Sequence, residues 1–447
     1  MAQTKEQVLT QLRERGVERV KVGGFDIDGL LRGKYMSLEK FASVVDKGFG
    51  FCDVIFGWDM ADVLYAHSSV TGWEKGFPDA QAIVDLDTLR DLPWEPKTAA
   101  CLVDFKDQHG ADHPSCPRSL LKRVAARAKG GGFDVKFSCE FEFFFFQETP
   151  ESLRDKGFVD PKPLTPGMFG YSYVRTGQNK ELMAAILDGM TAFGVPVEGL
   201  HTETGPGVYE AALHYSDVVE AADRAALFKV AMKQIAAEHG CSVSFMAKWN
   251  ADLPGCSGHL HQSLWKRGEN VFHEGGGMST TMKQYVGGLV ALMPEMTALI
   301  SPTINSYKRY VPGVWAPLTA SWGVENRTCG VRVIAPDSVS AARVEFRQTA
   351  ADLNPYIAMA TCLGAGLWGI ANEAALPPET SGDATEQGEP LPKTLKEATA
   401  RLADSHRMRT VLGDAFVDHY VHTRRWEVEQ FERAVTNWEL ARYFEAV

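Results

Sequence analysis

Nine residues, Ser138-Cys139-Glu140-Phe141-Glu142-Phe143-Phe144-Phe145-Phe146, constrain this chain more than any other segment. Four consecutive phenylalanines call for a buried strand. Side chains on a strand alternate faces, so Glu140 and Glu142 point the same way. Two neighbouring carboxylates on a core strand repel and are costly to bury unless cations compensate. A solvated pair on an edge strand is the alternative, and the phenylalanines that follow weigh against it. The fold must therefore bring partners to these two acids from elsewhere in the sequence.

Four other segments carry suitable chemistry. Glu203-Thr204-Gly205-Pro206-Gly207-Val208-Tyr209-Glu210 places two carboxylates around a tight Gly-Pro-Gly turn, where both can reach one ion. Gly255-Cys256-Ser257-Gly258-His259-Leu260-His261-Gln262-Ser263 puts two imidazoles on one face of a predicted strand, about 7 Å apart. That spacing suits one metal ligand and one neighbour that contacts phosphate. Cations concentrate in Asn305–Gly313 and Asn326–Arg332, around Arg309, Arg327 and Arg332. Arginine gives planar, bidentate contacts to carboxylate and phosphate. Arg343-Val344-Glu345-Phe346-Arg347 alternates charged and apolar residues, so its three charges share a face, as an ion-pair ladder or as part of a site. Together these segments supply hard ligands for more than one divalent cation and arginines for anions. The combination points to ATP-driven chemistry on a carboxylic acid.

Composition narrows the class. The 447 residues exceed the roughly 250–300 at which single cores stop growing, so two domains are expected. A net charge of −11 argues against nucleic acid as a partner. No apolar run is long and uncharged enough for a membrane span, and the first residues lack a signal-peptide pattern. Eight cysteines without a C-x-x-C pair fit reduced thiols in the cytoplasm. A helix is predicted over residues 3–16, and a hairpin from Val20–Asp26 and Leu30–Met36 about an Asp28-Gly29 turn. Residues 50–75 read as a functional loop. Further strands are expected at Ile83–Leu86 and Ala99–Phe105. Asp112–Pro117 marks the domain boundary, and the helix Ser119–Lys129 ends at Gly130-Gly131-Gly132. Residues 377–393 read as a long polar loop. Arg424–Tyr443 reads as one helix with Trp, Phe and Leu at core spacing. Irregular alternation of strands and helices favours α+β over a doubly wound sheet.

The order E-x-E, E…G-P-G…E, H-x-H, N-S-Y-K-R-x-V-P-G, N-R-T, R-x-E-x-R resembles the glutamine synthetase family across nearly the whole chain. The resemblance implies a small β-grasp-like N-terminal domain over residues 1–110 and a large catalytic domain over 111–447. It implies a homo-oligomer of stacked rings, a dodecamer, with active sites between neighbouring subunits. It puts Glu142, Glu203 and Glu210 on a first metal ion, and Glu140, His259 and Glu345 on a second. Arg309, Arg347 and Gly255 would hold glutamate; His261, Ser263, Arg332 and Arg343 would hold nucleotide and phosphate; Arg327 would act on the transferring phosphoryl group. Five carboxylates among six ligands suit Mg²⁺ or Mn²⁺, with ATP as co-substrate.

The chain departs from the family pattern where the amine nitrogen is handled. Ammonia-using members carry G-x-E-A-P, whereas this chain reads Gly313-Val314-Trp315-Ala316-Pro317. Their D-G-S-S loop is absent; Phe56-Gly57-Trp58-Asp59-Met60-Ala61-Asp62 occupies roughly that region, with Asp59 the candidate amine contact. Val208 replaces a Gln frequent in the G-P-G turn. Losing a carboxylate weakens a site for NH₄⁺, and gaining an indole adds a face for an alkylammonium. The resemblance is nearest to the small-alkylamine glutamate ligases, the γ-glutamylmethylamide synthetases. Ligation of methylamine or a similar amine to the γ-carboxyl of L-glutamate, through a γ-glutamyl phosphate, is therefore expected. Ammonia, ethanolamine and polyamines stay open as alternative nitrogen donors.

Overall fold

The structure is a computed structural model and describes residues 4–447. Thr4 caps the first helix, Lys5–Glu14, in a reciprocal capping box with Gln7, and Val8, Leu9 and Leu12 face inward. The hairpin pairs Arg19–Phe25 with Leu31–Ser37 in register Phe25↔Leu31, one residue from the sequence expectation. Its turn is held by the Asp26 carboxylate, which accepts from the backbone N–H of Asp28 at 3.0 Å and of Leu30 at 2.8 Å. Gly29 sits at φ +80°, the left-handed region that glycine enters freely. The full sheet runs Leu31–Ser37, Arg19–Phe25, Thr98–Lys106, Asp79–Asp91, Phe49–Cys52. Its pairing is antiparallel except between Arg19–Phe25 and Thr98–Lys106. Val20, Phe41, Phe56 and Phe105 fill the core beneath it.

A second, larger core lies under a ten-stranded sheet. Its main path runs Trp322–Val324, Val331–Ile334, Arg343–Phe346, Gly258–Lys266, Asp134–Phe146, Val208–Leu213, Val197–Thr202. Asp134–Phe146 is central. Val135, Phe137, Cys139, Phe141 and Phe143 are buried on one face, while Ser138, Glu140 and Glu142 alternate onto the other. At the strand's end Phe144 and Phe146 pack on Trp249, so all four consecutive phenylalanines are covered. The long helices Val218–Glu238, Thr280–Ile300 and Pro355–Ala371 back the sheet. This is a mixed α+β architecture.

The predicted helix Ser119–Lys129 spans Pro117–Gly130. The expected single C-terminal helix is two: Asp414–Arg433, and Asn437–Tyr443 after a break at 434–436. The apolar residues of the second have no core to meet; none is buried, and Trp438 and Phe444 are exposed. Among the described residues no helix is long and apolar enough to cross a membrane. All eight cysteines are free.

Helix Asp414–Arg433 joins the two cores. The buried Arg424 guanidinium pairs with Asp28 and donates to the Pro302 carbonyl at 2.7 Å. Asn354 donates to the Asp26 and Ile27 carbonyls at 3.1 and 3.2 Å. Beside this latch His113 stacks on Phe56, and Tyr65 meets His419, His422 and Trp426 edge-on. Burial holds the His419 imidazole down at about 3, and the charges of His113, His422 and Arg424 add to the effect. Burial likewise holds His113 at about 4. Unfolded histidine titrates near 6.5, so the unfolded chain takes up these protons first as pH falls. Their contribution to stability is present above about pH 6.5 and is lost on acidification. At pH 5 each imidazole withholds about 2 kcal/mol. Urea midpoints at pH 7 and pH 5 test this: His419→Leu is expected to flatten the fall, and an unchanged slope would remove His419 from the account.

Candidate active site

Strand register assembles the site. His259 pairs opposite Glu140, and Glu210 opposite Glu142. His261 and Arg332 lie opposite Glu345 on either side of its strand, and His201 lies opposite Glu210. One row of acids and imidazoles thus crosses the polar face of the sheet. Three groups bring potential ligand atoms within 4.8 Å of one another: Glu140–His261–Glu345, Glu140–Glu210–His259 and His201–Glu203–Glu210. Glu142 stands beside the row but outside these groups; its carboxylate accepts the Ser257 backbone N–H at 2.7 Å.

His201 was not singled out from the sequence. Its Nε2 lies 3.1 Å from Glu210 and its Nδ1 3.8 Å from Glu203. The signal was present, because His201 and Glu203 repeat the two-residue spacing of His259 and His261. Tyr171, three-quarters exposed, stacks on the His201 ring with centroids 4.4 Å apart.

The electrostatics follow from this crowding. Burial pushes the Glu140 carboxyl up, but hydrogen bonds from His259 and His261 more than offset it and hold the acid well below its ordinary range. Burial also opposes ionisation of Glu345, and the charges of His259 and Arg347 bring it down to about 2. Glu210 is raised by burial, with the neighbouring charges of Glu140 and Glu142 adding to it. The hydrogen bond with Glu210 raises His201.

The cations take different places. Glu345, 1% exposed, accepts from Arg347 Nη1 at 2.5 Å and from Arg332 Nη1 at 3.1 Å. Arg343 Nε approaches His261 Nδ1 at 3.3 Å. Glu140, His261, Ser263 and Arg343 line a cleft of about 360 Å³ with Tyr215 and Trp265. Arg309 is buried and donates to the Gln348 carbonyl at 3.1 Å. Gly255 permits its approach, since a Cβ there would stand 2.9 Å from the Arg309 Cβ and 2.5 Å from the Ala247 carbonyl oxygen. Arg327 is exposed, and its backbone carbonyl accepts from Arg347 Nε at 3.1 Å.

Asp59 and Trp315 are not drawn into the row. The Asp59 carboxylate accepts from the N–H groups of Ala61 and Val63 at 2.8 and 2.9 Å, and from Trp426 Nε1 at 3.0 Å. Trp315 is 69% exposed at φ +54°, a strained backbone for a bulky residue.

The sequence matches the family described as "Glutamine synthetase, catalytic domain" over residues 114–443. The chain belongs to the glutamine synthetase family. Among its relatives, "Type-1 glutamine synthetase 2" of Dictyostelium discoideum is 46% identical, over 98% of this chain and 86% of that protein. "Glutamate--isopropylamine ligase" of a Pseudomonas species is 36% identical, over 98% and 97%. A solved GmaS/ADP complex superimposes with a TM-score of 0.85 at 30% identity, covering 98% of this chain and 99% of that one. This chain is thus a glutamine synthetase-type ligase, and ATP and divalent-metal binding are general features of its family.

Proposed function

We propose that this ligase joins a small alkylamine, methylamine foremost, to the γ-carboxyl of L-glutamate at the expense of ATP. The observation that carries the choice of amine is Trp315, an exposed indole where ammonia-using members hold a carboxylate. An indole face attracts an alkylammonium and covers its apolar carbon, whereas NH₄⁺ gains more from a carboxylate.

The donor set fits hard cations, being oxygen and imidazole without thiolate. Glu142, Glu203 and Glu210 would hold a first Mg²⁺ or Mn²⁺, with His201 beside them; Glu140, His259 and Glu345 would hold a second. When bound, the ions supply neutralisation of the phosphate oxygens. The cleft of His261, Ser263 and Arg343, with Arg332 beside Glu345, would take the nucleotide phosphates. Arg309, Arg347 and the Gly255 backbone would orient glutamate. A γ-carboxylate oxygen attacks the terminal phosphorus of ATP, and the bond to the ADP oxygen breaks. Arg327 would counter charge on the transferring group. The amine lone pair then attacks the acyl carbon, phosphate leaves, and the nitrogen gives up a proton.

The same reading makes residues 1–110 a β-grasp-like domain whose Asp59 loop serves the site of a neighbouring copy in a dodecamer of stacked rings. The exposed Trp438 of the last helix and Phe444 just beyond it support association. The free cysteines fit a cytoplasmic enzyme. A second reading, ammonia as the nitrogen donor, is favoured by the name of the Dictyostelium relative.

An amine panel decides between them. Methylamine, ethylamine, isopropylamine, ethanolamine, putrescine and ammonium are offered at equal concentration with ATP, Mg²⁺ and glutamate, and products are read by mass. Methylamide or a near homologue is the expected product, and preference for ammonium would sink the proposal. Trp315→Glu is expected to shift the ammonium-to-methylamine ratio by about 3- to 30-fold toward ammonium. An unmoved ratio would remove Trp315 from the specificity argument.

A further inference from the structure

A crevice of about 260 Å³ lies between the small sheet and the helical side of the large core, lined by none of the residues of the acidic row. Leu31 and Leu92 wall it from the sheet, Phe193 and Leu227 from the other side. Its floor is bare backbone where Gly23 pairs with Gly33; a Cβ on Gly23 would stand 2.7 Å from the Arg32 carbonyl oxygen. Lys21, Lys34 and Arg90 line it and no lining residue is acidic; the Lys21 ammonium is paired with Glu95 and the Lys34 ammonium lies over the Phe49 and Phe51 rings, which leaves Arg90 as the cation for a ligand.

Arg90 is the distinctive member. A register shift between Asp85 and Arg90 interrupts its strand, and such bulges re-aim side chains. Its Nε donates to the Thr88 carbonyl at 2.9 Å. Its Nη2 stands 3.9 Å from Glu220, whose other oxygen is held by Arg224. Its Nη1 is buried with no hydrogen-bond partner, on a side chain nine-tenths buried. A guanidinium N–H without an acceptor in a water-poor wall is costly, and an anion at that point removes the cost. The apolar walls select for a ligand with an apolar body, and the volume lies just under the ~300 Å³ lower end of typical ligand pockets.

We propose that this crevice is a second ligand site, for a small carboxylate carrying a short aliphatic or aromatic body, with Arg90 as its anion contact. The site is independent of the reading of the acidic row. Hexanoate is the probe and 1-hexanol its uncharged control, each titrated calorimetrically into the full-length enzyme with glutamate saturating to occupy the substrate carboxylate site. One hexanoate per chain is expected to bind, and hexanol much more weakly. Arg90→Met should weaken hexanoate by about 10- to 100-fold. Val230→Trp, which fills the crevice from helix Val218–Glu238, should abolish binding with circular dichroism unchanged. Failure of hexanoate to bind, equal binding of hexanol, or unchanged hexanoate affinity in the variants would overturn the assignment. If Arg90→Met does not fold, Val230→Trp decides alone.

Discussion

Glu345→Gln is expected to lower kcat/KM by about 10²- to 10³-fold while the chain stays folded. The side chain is 1% exposed, yet its carboxyl is held at about 2. An acid buried that deeply stays ionised only because cations face it. Arg347 donates to one oxygen at 2.5 Å, and His259 stands 3.3 Å from the same oxygen. Arg332 donates to the other oxygen at 3.1 Å. Glutamine keeps the shape and removes the charge. Two arginines then lose their shared counter-ion, and the Glu140–His261–Glu345 group loses an anionic donor. The Mg²⁺ concentration for half-maximal activity should rise by at least about tenfold, because even outer partners of a metal site are worth ~10–100-fold in affinity. Circular dichroism and a Mg²⁺ titration of ADP release check both parts. Activity within about twofold of wild type at limiting Mg²⁺ would show that Glu345 is a structural counter-ion alone.

Much of this site was legible because a strand's two-residue period carries over to chemistry. Glu140 and Glu142, and His259 and His261, each share a face by spacing alone. What spacing cannot supply is pairing. That His259 meets Glu140 while Glu210 meets Glu142 depends on register between strands about 70 to 120 residues apart, set by the alternating core residues beneath them. His201 escaped notice for the same reason, since its importance comes from standing opposite Glu210. Glu142 shows the converse. Its place in the sequence pattern is plain, but here the Ser257 N–H holds its carboxylate. In the C-terminal segment core spacing suggested one buried helix, and Asn437–Tyr443 buries nothing. Hydrophobic periodicity reports a face that wants covering, and it does not say whether the same chain covers it.

Arg118→Met is expected to destabilise the chain by about 3–5 kcal/mol, the cost of stranding buried charge. Arg118 begins helix Pro117–Gly130 and is 3% exposed. It donates to both oxygens of Asp223, each at 2.8 Å, and to Asp104 at 2.8 Å, with Asp85 at 2.9 Å. Asp223 belongs to helix Val218–Glu238 and also accepts from Tyr356 of helix Pro355–Ala371 at 2.7 Å. Asp85 and Asp104 belong to the small sheet and retain Lys122 when Arg118 is lost. Asp223, 1% exposed, retains only the tyrosine hydroxyl. The loss therefore concentrates on one uncompensated carboxylate, and the double variant Arg118→Met, Asp223→Leu should recover a large part of it, since apolar replacement of both buried partners is often neutral or better. Urea midpoints of the two variants, read by coincident fluorescence and circular dichroism transitions, separate the possibilities. A single variant within about 1 kcal/mol of wild type would mean that water reaches Asp223, and a double variant no better than the single would mean that Arg118 holds the two cores together chiefly through Asp85 and Asp104.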